Sequence, residues 1–195
     1  MFMDYKFFLQ RLRYIILNPV RAWDIISEEN RTTRDVRNSY LFPLLLLVTI
    51  CVFTGSMVFT NSTLPPVYSV FVAIKFLLLD FVVIFASAAI LGEITKPLDL
   101  GRSFALSFQL IVYSITPLLI CQMITQLFES LVFVNILSLF GLYIFWTGTN
   151  KMLNPPQHKK MFLLVTTFIV VAELFIAGSV ALSSVVDRIY FGFFA

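Results

Sequence analysis

The sequence predicts an all-α polytopic membrane protein: a bundle of five transmembrane helices preceded by short amphipathic cytoplasmic helices. Three observations carry this. Five long apolar runs follow residue 40, at about 41–59, 67–92, 103–128, 132–149 and 161–186, and each meets or approaches the roughly 20 helical residues that cross a hydrocarbon core. The composition is 59% hydrophobic and only 13% charged, with a mean hydropathy of +0.91, whereas average soluble domains carry about 25% charged residues. Almost all of the charge lies in the gaps between the apolar runs. Two segments are therefore expected: residues 1–40, cytoplasmic or interfacial and too short for a core of their own, and residues 41–195, a five-span membrane domain.

The cations set the orientation. Residues 1–40 hold Lys6, Arg11, Arg13, Arg21, Arg31, Arg34 and Arg37; the second connection holds Lys96 and Arg102; the fourth holds Lys151, Lys159 and Lys160. The first and third connections hold none, and the C-terminal tail has only Arg188. Positive charge is retained on the cytoplasmic side. The N-terminus is thus expected inside and, after five crossings, the C-terminus outside. Residues 1–40 are too charged and too broken to read as a cleavable signal.

Along the chain, residues 4–17 (DYKFFLQRLRYIIL) read as an amphipathic helix, with Phe8, Leu12, Ile15 and Ile16 at helical spacing and Lys6, Arg11 and Arg13 as its cations. It is expected either in the headgroup plane or packed on the cytoplasmic ends of the bundle. Asn18-Pro19 is a helix-start signal, and Val20, Trp23 and Ile26 form the stripe of a second short helix in which Trp23 suits an interfacial anchor. Thr33 is a candidate cap for the helix entering the first span, and Pro43 lies near that span's entry, where a lost backbone bond costs least. In the outer connection Asn61-Ser62-Thr63 matches a glycosylation acceptor, a pattern too short to carry weight. Tyr113 and Pro117 interrupt the third span, where proline frees a carbonyl and invites a kink; Ser114 and Thr116 are on hand to satisfy the opened backbone. Small residues four apart, Ala88 and Gly92, Ala177 and Ala181, Ser179 and Ser183, mark helix contacts within the chain or with a second copy.

Three ionisable residues fall well inside the spans: Lys75, Asp80 and Glu173. Asp or Lys at a helix centre costs about 2.5–3.5 kcal/mol on insertion scales, so such groups usually face protein or water and find partners. Counted at 1.5 Å per residue from the span entries, Lys75 and Glu173 each lie about 12 Å below the outer surface. That predicts a Lys75–Glu173 ion pair, with Asp80 on another flank. A proton or ion path through Asp80 and Glu173, in a small transporter or channel, is the alternative.

Little else suggests chemistry. Cys51 and Cys121 both lie within predicted spans and read as packing residues. His158 sits in a connection with no Cys, Asp or Glu at ligand spacing. HExxH, GxSxG, paired Gly-Asp and Cys–His patterns are all missing from the sequence, so no catalytic site, cofactor or metal is expected.

Several segments nonetheless form a pattern. NPVRAWDIISEE before the first span, YSITP from Tyr113 to Pro117, and FGLYIFWTGTNKMLNPPQHKK from Phe140 to Lys160 occur in the order in which the Yip1 family, five-span membrane proteins, carries similar stretches. The chain resembles the short bacterial members of that family over nearly its whole length; it departs at the front, where eukaryotic members have a longer polar region. The resemblance implies a non-enzymatic integral protein, here of the bacterial inner membrane. Eukaryotic relatives act in vesicle trafficking and associate with prenylated Rab-type GTPases. The corresponding surface would be the basic cytoplasmic face of Lys6, Arg11, Arg13, Lys96, Arg102, Lys151, Lys159 and Lys160. The expected partners are the bilayer, anionic lipid and a cytoplasmic protein, with a homo-oligomer open and no nucleic acid.

Overall fold

The computed structural model describes residues 5–29, 31–59, 66–96 and 103–194; nearly all of them are helical, and there is no strand among them. Among the described residues five helices are long and apolar enough to cross a membrane: Thr33–Phe59, Pro66–Thr95, Phe104–Leu127, Ser130–Met152 and Lys159–Gly192. The protein is an all-α integral membrane protein. The glycosylation-like triplet at 61–63 lies outside the described residues.

Two short helices come first, α1 (Tyr5–Leu17) and α2 (Pro19–Glu29). The Asn18 side chain accepts the Arg21 N–H at 3.2 Å just before Pro19 opens α2, as a helix start requires. Both helices pack on the bundle, burying Phe8 and Ile15 from α1 and Ala22, Trp23 and Ile26 from α2. Trp23 is therefore no interfacial anchor; its indole lies inside the protein.

The first long helix starts with α3 (Thr33–Val36), passes through a π-helical turn at Arg37–Leu41 and continues as α4 (Phe42–Phe59). Its cap is Thr32 and not Thr33. Thr32 accepts the Asp35 N–H, and the Asp35 carboxylate reaches back to the Thr32 N–H at 3.2 Å. This reciprocal box needs an acidic or amide side chain three residues on, which Thr32 has and Thr33 lacks. Pro43 sits ten residues into this helix rather than at its start, just after the π-helical turn. The wider turn carries i→i+5 bonds such as Phe42 N–H to Arg37 carbonyl, which absorbs the bond that proline removes from the ordinary ladder.

The second span is α5 (Pro66–Thr95), packed against α4 on one side. The third breaks at Ile115 (φ −80, ψ −8) into α6 (Phe104–Ser114) and α7 (Thr116–Leu127), with Pro117 at the start of the second half. Ser107 through Ser114 are all buried, so α6 is ringed by protein and forms the centre of the molecule. The fourth span begins as a 3-10 segment, Glu129–Leu139, and ends as α8 (Phe140–Met152). A 3-10 helix rises about 2.0 Å per residue, which lets a modest number of residues cover the depth. Last comes α9 (Gln157–Phe194), 38 residues and so about 57 Å long. It lies chiefly along α5 and more lightly on α8.

Candidate functional site

The most elaborate constellation lies where the N-terminal helices meet the break in the third span. Arg11 of α1 forms an ion pair with Glu29 at the end of α2, and the other carboxylate oxygen of Glu29 takes Arg31 Nε at 2.8 Å. The Arg31 guanidinium stands 3.9 Å from the centre of the Phe7 ring, and the Arg31 carbonyl accepts Gln109 Nε2 of α6 at 2.8 Å. Below this clamp the aromatic rings meet in sequence. Phe8 lies 5.7 Å from Tyr40, Tyr40 lies 4.9 Å from Tyr113, and Tyr113 meets Trp23 edge-on at 5.8 Å. Trp23 Nε1 donates to the Ile144 carbonyl of α8 at 2.9 Å.

The break itself is held by hydroxyls. Thr116 Oγ1 donates to the Val112 carbonyl at 3.2 Å and lies 2.9 Å from the Tyr40 hydroxyl. A hydroxyl has one proton, so with that of Thr116 committed to Val112, Tyr40 is the donor between them. Two glycines let the backbones close around this point. A Cβ on Gly141 would stand 2.4 Å from the Ser114 carbonyl oxygen, and one on Gly148 would stand 2.4 Å from the Trp23 ring. Any larger residue must push α8 away from α6 or from α2.

The intramembrane charges are distributed differently from the sequence expectation. Lys75 donates to Ser183 Oγ at 3.3 Å and lies 4.9 Å from the Phe76 ring centre. Ser183 is ten residues past Glu173, about 15 Å along α9, so Lys75 and Glu173 are not brought together. Neighbouring contacts agree on this register: the Tyr68 hydroxyl donates to Asp187 at 3.4 Å, and Gly178 lies against Leu79. Equal depth assumed that α9 enters the membrane at Met161, and a helix so much longer than the hydrocarbon core does not fix its own entry point. Glu173 is exposed on the outer face of α9, together with Ala177, Ala181 and Ser184. Asp80 is 2% exposed and accepts Gln122 Nε2 of α7 at 3.2 Å. One carboxylate is inside the bundle and the other outside it.

The basic residues also divide. Lys6, Arg13 and Lys96 are exposed, and Lys159 and Lys160 are half-buried. Lys151 is paired with Asp24 of α2 at 2.7 Å. Arg11 does not belong to the exposed face; it is 4% exposed and turned inward onto Glu29. Arg102 and the side chain of His158 lie outside the described residues.

Every stretch quoted from the sequence contributes to this arrangement: α2 supplies Trp23, the third span supplies Tyr113 to Pro117, and α8 supplies Gly141 and Gly148. The sequence model of the Yip1 domain matches residues 13–180. The chain belongs to the Yip1 family. No curated protein and no solved structure matches it. For this Yip1 protein, sequence reasoning missed Glu29, Tyr40, Gln109 and Gln122. The two glutamines carried a usable signal, because an amide inside an apolar span must find a partner. Glu29 and Tyr40 carried none, since both sit near helix ends where charged and aromatic residues are ordinary.

Proposed function

We propose that this Yip1 protein works without catalysis, as a membrane-organising scaffold whose basic face holds anionic lipid headgroups at the cytoplasmic surface of a bacterial inner membrane. In this reading the N-terminus is cytoplasmic and the C-terminus is outside. The helices α1 and α2 form the surface layer of the five-span domain. The observation that carries it is the outward side of α1: Lys6 and Arg13 are exposed beside Leu9 and Leu17, which are 60% and 70% exposed. Such a mixed cationic and apolar face suits the boundary between headgroups and acyl chains. Lys96, Lys159 and Lys160 extend the cationic rim. Each cation near an anionic surface adds about 1 kcal/mol of attraction, so several together give useful selectivity for acidic lipid.

The test compares wild type with Lys6→Glu/Arg13→Glu, both reconstituted in mixed phosphatidylglycerol and phosphatidylcholine. Native mass spectrometry counts the lipids retained on the released protein. Preferential retention of phosphatidylglycerol by wild type, reduced in the variant, is the expected result. Equal retention of both lipids by both proteins would remove the headgroup reading and favour a protein partner at the same face.

A further inference from the structure

Between the break in the third span, the start of α8 and the first half of α9 lies an apolar cleft with about 570 Å³ of atom-free space, its open mouth included. Leu118, Leu142, Leu164 and Val171 line it, together with Ser114 and Thr167. Ser114 is 8% exposed and Thr167 5%, yet neither hydroxyl has a hydrogen-bond partner among the described residues. A buried polar group left in this state is costly, and most native ones are satisfied. The neighbouring Thr116 hydroxyl shows that local backbone carbonyls can be used, and these two are not so used.

We infer that this cleft seats one acyl chain of a glycerophospholipid, with the Ser114 and Thr167 hydroxyls donating to its ester oxygens. Depth argues for it. Thr167 follows Lys160 by seven residues, about 10 Å along the helix, and helical side chains lean back toward the N-terminus. The polar layer of a bilayer is about 5–8 Å thick on each side. A phosphate held at Lys160 therefore leaves its ester groups within reach of the hydroxyls, and the chain runs on past Val171 into hydrocarbon. Water is a poorer occupant, because a buried water usually makes about three hydrogen bonds and the walls here are mostly hydrocarbon.

This inference rests on the reading of the basic face as a headgroup surface, and the test separates the two. The full-length protein is reconstituted in vesicles of phosphatidylglycerol bearing a diazirine on one acyl chain, irradiated, and its adducts are mapped by mass spectrometry. Adducts should concentrate on Leu118, Leu142, Leu164 and Val171, above those at Leu46 and Ile50 on the outer side of α4. Val171→Phe, which fills the cleft, should lower them to that background. Thr167→Val should weaken them about fivefold, the worth of one hydrogen bond. A thermal midpoint matching wild type shows that each variant is folded. Adducts spread evenly over all lipid-facing positions, with phosphatidylglycerol still retained, would overturn the cleft and leave the headgroup reading standing. Cleft adducts equally strong from phosphatidylcholine would uphold the cleft and overturn the headgroup reading.

Discussion

Arg11 shows how strongly environment decides what a charge does. By charge it belongs with Lys6 and Arg13, but on the helix it lies about 140° round from Lys6 and about 160° from Arg13, on the buried face of Phe8 and Ile15, where Glu29 and the Phe7 and Tyr113 rings surround it. Removing one partner of a fully buried pair costs about 3–5 kcal/mol. Glu29 remains partly solvated and keeps Arg31, so Arg11→Met should cost less, about 1.5–3 kcal/mol, the range for a hydrogen bond to a charged group. Thermal unfolding in detergent measures it. Adding Glu29→Met to that variant should cost less than the sum of the two single changes, since the two residues share one interaction. Additive losses would mean that the pair contributes nothing.

At the level of elements, α9 is the clearest case of what sequence does and does not specify. That it is an apolar helix was legible, as were the helix start at Asn18-Pro19 and the interruption near Pro117, because each is a local property of a few residues; its extent, Gln157–Phe194 against the expected 161–186, was not. Its register against α5 was not, since a 38-residue helix can slide along its partner without altering its hydropathy. That is why Lys75 was expected opposite Glu173 and is found at Ser183. In a background with Cys51 and Cys121 replaced, Lys75→Cys/Ser183→Cys should link readily with a short thiol crosslinker, whereas Lys75→Cys/Glu173→Cys should not. Linkage of the second pair alone would refute the register. The candidate site was legible in the same partial way. Gly141 and Gly148 stood out as members of a family-like stretch, but the Ser114 carbonyl and the Trp23 ring that exclude a side chain there come from distant elements.

The whole molecule is organised around α6, which is enclosed by protein, while α9 rests on the periphery with its carboxyl-bearing face outward. The N-terminal helices complete the enclosure, covering α6 where Tyr113 and Gln109 would otherwise face outward. On the orientation expected from the spacing of cations along the sequence, reporters fused to the two termini fall in opposite compartments: an N-terminal fusion in the cytoplasm and a C-terminal one outside. Protease protection in sealed vesicles distinguishes this from both ends on one side. Either result also fixes which leaflet supplies a lipid to the cleft.

Trp23 has a practical consequence. The chain has two tryptophans, and this one is sealed between α6 and α8 with its indole N–H committed to a carbonyl. In a Trp146→Phe background its emission becomes an optical gauge of whether the front helices are seated. A blue, quencher-resistant spectrum marks the docked form, and a red-shifted one marks their release, so lifting of the N-terminal segment by a ligand or a partner is visible without any added label.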